Sequence, residues 1–153
     1  MSSGLSILYD TIRWEEKALF DAGKKKGIDI EMVDCKNLFL NLDKSKEKFD
    51  TVIQRCVSYY RSLHSTAALE GKGVNIINSL NTSILAGNKL FTHMLLQKNG
   101  IPTPFSAVAF SEEAALELLK AEGYPMVLKP TVGSWGRMIA LRNLSSRLEC
   151  LHQ

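Results

Sequence analysis

The first 80 residues alternate between short apolar runs and segments of helical periodicity, and that rhythm restricts the fold more than any other feature. Leu5 to Tyr9 is an apolar run that ends at Asp10. Trp14, Ala18 and Ala22, with Leu19 beside them, then follow at helical spacing. Gly27 stops that helix after Lys24, Lys25 and Lys26, as a residue tolerant of positive φ does. Ile28 to Val33 alternates apolar with acidic residues and reads as a second strand. A polar stretch with Asn41, Asp43 and Lys44, Lys46 and Lys48 is a loop. Thr51 to Ile53 resumes an apolar strand, Tyr59 to Glu70 is helical, Gly71 and Gly73 break it, and Val74 to Ile77 is another strand. Strands separated by helices favour a parallel sheet with right-handed crossovers, a small Rossmann-like layer over residues 1–87.

Residues 88–153 have a different texture and predict an α+β subdomain. From Asn88 to Asn99 a helix carries Leu90, Phe91, Met94 and Leu95 on one face and Lys89 and His93 on the other. Gly100 ends it, and Pro102 and Pro104 hold the next segment extended. Phe105 to Phe110 reads as a strand. Ser111 is a good N-cap, with Glu112 and Glu113 in the first turn where the helix dipole favours acid. Ala115, Leu118 and Leu119 form that helix's buried stripe, and Gly123 closes it. Met126 to Leu128 is a strand, Gly133 to Gly136 a tight loop, and Met138 to Leu141 a strand. A further helix begins at Ser145 or Ser146 shortly before Gln153, so this subdomain is expected to be truncated or to finish its core with a partner.

Charge and cysteine content narrow the function classes. The 153 residues carry a net charge of only +3, without the basic stripe of a nucleic-acid binder. Cys35, Cys56 and Cys150 are odd in number and lack CxxC pairing, which suggests neither zinc nor a disulfide frame. No stretch approaches the roughly 20 apolar residues of a membrane span, and the N-terminus lacks a secretory pattern. A cytoplasmic location follows as an expectation, with no membrane or nucleic-acid partner and a homo-oligomer left open.

The strongest local signal is Leu128-Lys129-Pro130-Thr131-Val132-Gly133-Ser134-Trp135-Gly136-Arg137. A lysine at the end of an apolar strand is unusual, because burying an unpartnered ammonium is expensive. Gly133 and Gly136 let the backbone turn sharply and bring amides close to an anion. Ser134 adds a hydroxyl, Arg137 a planar cationic fork suited to phosphate, and Trp135 a side chain able to exclude water. An ordinary hairpin has the same strand, glycine turn and strand. Lys89 lies in the first turn of its helix, where the positive dipole end disfavours a cation unless a phosphate binds there. Lys89, Lys129 and Arg137 together can neutralise most of a triphosphate, with magnesium arriving in the nucleotide complex. No GxGxxG follows the first strand and no GxxxxGK[ST] occurs, which excludes the dinucleotide fingerprint and the P-loop. His64, His93 and His152 have no metal-ligand spacing. Arg55, Ser58 and Tyr59 follow a strand's carboxyl end, where ligands of open α/β sheets sit, and are candidate substrate residues. The start of a packed helix explains them equally.

These residues resemble the ATP-grasp superfamily, its RimK-related branch, and within that branch the LysX-type ligases of lysine biosynthesis. The likeness is carried by Ile7-Leu8-Tyr9-Asp10 leading into Arg13-Trp14-Glu15-Glu16-Lys17, by Gln54-Arg55-Cys56-Val57-Ser58-Tyr59, by Gly87-Asn88-Lys89, and by Lys129-Pro130 with Val132 to Arg137. It implies a Rossmann-like pre-ATP-grasp domain followed by the N-terminal ATP-grasp subdomain. It also implies ATP and Mg2+, with Lys89 and Lys129 on the phosphates and the loop from Gly133 to Arg137 closing over them. The chemistry implied is phosphorylation of a carboxylate followed by attack of an amine. The carboxylate is the C-terminal glutamate of the acidic carrier protein LysW, and the amine is that of α-aminoadipate or glutamate. Family members run longer, with the adenine hinge and the magnesium ligands in their second half. The expectation is therefore weak or absent ligase activity for this chain alone. A truncated or non-catalytic nucleotide-binding product, or a Rossmann-like small-molecule module, is the alternative.

Overall fold

The computed structural model describes residues 4–43, 48–133 and 138–142. The chain divides between Ile84 and Leu85 into two compact units. The first holds β1 (Leu5–Tyr9), α1 (Trp14–Lys25), β2 (Ile30–Asp34), a 3₁₀ turn (Cys35–Asn37), β3 (Thr51–Gln54), α2 (Tyr59–Glu70) and β4 (Asn75–Ile77). Its four strands lie in the order β2-β1-β3-β4, and every neighbouring pair is parallel. β1 aligns Leu5 with Ile30 on one side and with Thr51 on the other. The chain steps from β1 to one flank and returns to the opposite one. The carboxyl ends of β1 and β3 thus mark the switch point of the sheet, where open α/β folds leave a crevice.

Both faces of this sheet are covered, as parallel strands require. Leu8, Phe49, Val52, Leu69, Val74 and Ile76 form the buried cluster under α2, with Leu38, Leu40, Cys35 and Cys56 packed against it. On the other face α1 packs against β1 and β2. It approaches so closely that a Cβ on Gly23 would stand 2.8 Å from Ile30 Cδ1. The sequence periodicity locates α1, yet Trp14, Ala18, Leu19 and Ala22, the residues of that spacing, are exposed. Trp14 is 76% exposed and Leu19 39%, whereas Glu16 is fully buried. The orientation is fixed by the ion pairs of Glu16 and by the missing side chain at Gly23, and neither belongs to an apolar stripe.

The second unit contains α4 (Lys89–Lys98), α5 (Glu112–Glu122), β5 (Met126–Leu128) and β6 (Ala140–Arg142), and α3 (Leu80–Gly87) runs across the division. β5 and β6 pair antiparallel, Met126 opposite Arg142. Local chemistry sets the helix starts. The Asn88 side chain accepts from the amides of Leu90 and Phe91, and Ser111 accepts from that of Ala114, so two otherwise unpaired donors of α4 and one of α5 are satisfied. Leu119 is buried with Ala115 and Leu118 partly so, the stripe expected of α5. Phe105 to Phe110 is not a strand. An extended segment becomes a strand only by pairing its backbone, and no described residue pairs with it; Phe105 and Phe110 are 63% and 91% exposed.

Candidate functional site

Two constellations stand out, one in each unit. At the carboxyl end of β1, Asp10 is almost completely buried. Its carboxylate accepts from the amides of Val57 (2.8 Å) and Ser58 (3.1 Å) and from the guanidinium of Arg61. Burial pushes the Asp10 carboxyl up, but the two amides and Arg61 together bring it below the ordinary value. Beside it, Glu16 accepts from Arg13 through the backbone N–H (2.9 Å) and the guanidinium (2.8 Å), and from Arg55 Nε (2.9 Å). The Arg13 hydrogen bond is the largest cause holding Glu16 down to about 2, against the opposing effect of burial. Gln54 closes the network: Nε2 lies 2.9 Å from Ser65 Oγ and 3.1 Å from Thr66 Oγ1, and Oε1 accepts from the Cys56 amide at 3.0 Å. Burial, reinforced by the neighbouring Cys35, pushes the Cys56 thiol up and leaves it an unreactive thiol.

These bonds hold the start of α2 against the sheet edge. An open groove of about 500 Å³ lies there, lined by Cys35, Leu38, Leu40, Ser58, Tyr60, Arg61, His64, Ser65 and Ala68. Of the substrate residues expected from sequence, Ser58 lines it and caps α2, accepting from the Arg61 amide. Arg55 is instead committed to Glu16, and Tyr59 stacks edge-on with Tyr60 at 5.5 Å between ring centroids. Asp10 and Glu16 enter the sequence reading only as part of the family likeness, and Arg61 is not singled out there as a site residue. Asp10 carries one signal, an acid directly after an apolar strand at a sheet's carboxyl edge. Arg61 sits one turn into the helix that Ser58 caps.

The second constellation joins two segments far apart in sequence. The Lys89 amide donates to Thr131 O at 2.8 Å, and its Nζ donates to Gly133 O at 2.7 Å. Asn88 and Val132 form an antiparallel bridge between those bonds. The start of α4 is thereby clasped to the segment that begins at Lys129. Gly133 has φ +145°, a backbone state that favours glycine, and an added Cβ would stand 3.4 Å from Pro130 Cγ. Lys129, just past β5, is exposed. The burial cost that made it conspicuous in sequence therefore does not arise, and its ammonium is accessible to an anion. Lys89 uses one of its three donors on a carbonyl, leaving two for an anion at the positive end of α4. Ser134, Trp135, Gly136 and Arg137 lie outside the described residues. Among the described residues no group of three or more His, Cys, Asp or Glu side chains could hold a metal ion. No helix among them is long and apolar enough to cross a membrane.

Comparison with known proteins places these features in a family. The LysX pre-ATP-grasp domain model matches residues 5–85. The glutamate–LysW ligase ArgX of Sulfolobus acidocaldarius is 36% identical over 137 residues, covering 90% of this chain and 49% of that protein. The α-aminoadipate–LysW ligase LysX of Sulfurisphaera tokodaii is 41% identical over 140 residues, covering 89% of this chain and 49% of that protein. The chain thus spans about half the length of the curated relatives it matches. Among solved structures, a RimK-domain ATP-grasp protein from Sphaerobacter thermophilus superposes with a TM-score of 0.75 at 26% identity, covering 90% of this chain and 53% of that one.

Proposed function

The chain belongs to the LysX pre-ATP-grasp family, and we propose that it serves an ATP-dependent carboxylate–amine ligase acting on the carrier protein LysW. In this reading ATP phosphorylates the C-terminal carboxylate of LysW, releasing ADP. The resulting acyl phosphate is attacked by the amine of α-aminoadipate or glutamate, which forms the amide and releases phosphate. The product belongs to lysine or arginine biosynthesis, and the setting is cytoplasmic. The residues act by position and charge: Lys89 and Lys129 neutralise phosphate oxygens, and the Gly133 turn brings backbone close to them. Ser134, Trp135, Gly136 and Arg137 are assigned to ATP binding with them, and Mg2+ enters with ATP.

The observation that carries this reading is the clasp of Lys89 to Thr131 and Gly133, which ties the start of α4 to the segment bearing the second lysine. Calorimetric titration with Mg·ATP tests it. Lys89→Ala and Lys129→Ala should each weaken binding by about tenfold or more, the loss of one charge-assisted contact. Indifference to both substitutions would overturn the assignment. Release of ADP with LysW and each amino acid in turn identifies the amine.

A further inference from the structure

We propose that the groove of the first unit binds a carboxylate carried on an aliphatic arm, with Arg61 and His64 meeting the carboxylate and Leu38, Leu40 and Ala68 flanking the arm. The proposal rests on the ligase reading only for the choice of probes below. Its support is physical. The groove runs between the segment that follows β2 and the face of α2, beginning at Ser58 just past the carboxyl end of β3. At about 500 Å³ it falls in the size range of small-molecule clefts, roughly 300–1,000 Å³.

Its walls differ in chemistry. Cys35, Leu38 and Leu40, beyond the end of β2, give one side an apolar surface. The other is the face of α2 on which Arg61, His64, Ser65 and Ala68 recur at helical spacing. Arg61 is 44% exposed, and its guanidinium is held through Nη1 by the buried Asp10. That guanidinium makes no other hydrogen bond among the described residues. A planar fork fixed at one nitrogen is pre-organised to present the rest to a second carboxylate. Asp10 does not depend on Arg61 alone, because the amides of Val57 and Ser58 also serve it. Sharing the guanidinium thus leaves Asp10 compensated. His64 stands one turn beyond Arg61, its ring 6.2 Å from that of Tyr60, and supplies a further donor beside the fork.

Such a carboxylate has two sources in a carboxylate–amine ligase: a free dicarboxylic amino acid, or the terminal glutamate of a peptide. Calorimetry on the full chain, with NMR of the His64 ring protons, separates them. The probes are L-glutamate, L-α-aminoadipate and a short peptide ending in glutamate, each with and without Mg·ATP. Glutaramide and the same peptide ending in glutamine amide are the neutral controls. At least one carboxylate probe should bind and shift the His64 resonances while the neutral controls do not. Arg61→Gln should weaken it about tenfold, as loss of a charge-assisted contact does. Ala68→Met, which fills the groove without altering charge or the Asp10 pairing, should weaken it similarly in a chain of unchanged thermal stability. Amino-acid binding alone, or peptide binding alone, identifies the source. If no carboxylate probe shifts His64 in either nucleotide state, or if both variants bind as wild type, the proposal falls. Its failure is separable from that of the ligase reading, which stands or falls on ATP binding and on Lys89 and Lys129.

Discussion

The two units handle charge in opposite ways. In the first, both buried carboxylates are fully engaged: Asp10 by two amides and Arg61, Glu16 by Arg13 and Arg55. In the second, the featured cations are left short of anions. Lys129 is exposed and Lys89 rests on a carbonyl. Among the described residues, buried apolar side chains are concentrated in the first unit. The first unit buries a continuous cluster under α2, whereas the second leaves Phe91 41%, Met94 58% and Leu95 43% exposed. A buried carboxylate fully engaged within the fold is scaffold, whereas an accessible cation with donors to spare is available to a ligand. On that argument we propose Glu16 for stability and Lys89 and Lys129 for binding.

The hardest test of that division is Glu16→Gln. It leaves Arg13 and Arg55 without their shared carboxylate at a site of no solvent exposure. Breaking a buried pair from one side costs about 3–5 kcal/mol, and because both arginines can still reach water the lower end is expected. Hydrogen exchange at Leu8 and Val52 should then speed up by about a hundredfold, 1.4 kcal/mol being a factor of ten. Unchanged exchange would remove Glu16 from the scaffold.

Acid provides the next test. Glu16 titrates near 2 in the fold, against 4.5 for an ordinary glutamate, and Asp10 is shifted in the same direction. Groups with depressed folded values stabilise fully above their unfolded values, and that contribution is lost as pH falls through the folded ones. The first unit should therefore hold its stability from neutrality to about 4.5 and lose roughly 3 kcal/mol by pH 2 on account of Glu16. In Glu16→Gln most of that slope should vanish. A slope centred near pH 6 instead would implicate a histidine and contradict the assignment.

In the second unit the expected effects are smaller. Asn88→Ala removes the side chain that caps α4, at about 1 kcal/mol. It also loosens the helix start that presents Lys89, so Mg·ATP binding should weaken by a smaller factor than in Lys89→Ala. Equal losses would mean that the position of the helix end matters more than the ammonium.

What the sequence discloses follows from the range of each interaction. Caps are local, so Asn88 and Ser111 are legible as helix starts. The parallel layer is legible because apolar runs and helical periods alternate on a scale of a few residues. The facing of α1 is not, because Glu16 is buried by an arginine 39 residues away and no local pattern encodes that partner. Phe105 to Phe110 misleads for the same reason: β-propensity is local, but a strand needs a remote edge. At the candidate site the two lysines are visible as residue types out of place, whereas the carbonyls that hold Lys89 belong to a segment more than 40 residues downstream. The groove residue Arg61 is invisible until Asp10 is known to face it.

The smallest expected effect concerns the residue that looks most like core. Trp14 heads the apolar spacing of α1, and a reading by periodicity alone makes it an anchor whose loss costs about 3–5 kcal/mol, the usual penalty for truncating a buried aromatic. In the structure its side chain is 76% exposed, so truncation opens no cavity. Trp14→Ser should therefore change stability by no more than about 0.5 kcal/mol, the range of ordinary surface substitutions. It also leaves the Arg13–Glu16 hydrogen bonds in place. Set beside Glu16→Gln, two positions away on the same helix, the pair reads out which face of α1 meets the sheet. A large loss in Trp14→Ser with a small one in Glu16→Gln would reverse the helix's orientation. The charged network at the sheet edge would then be surface decoration, and the contrast between the units would lose its basis.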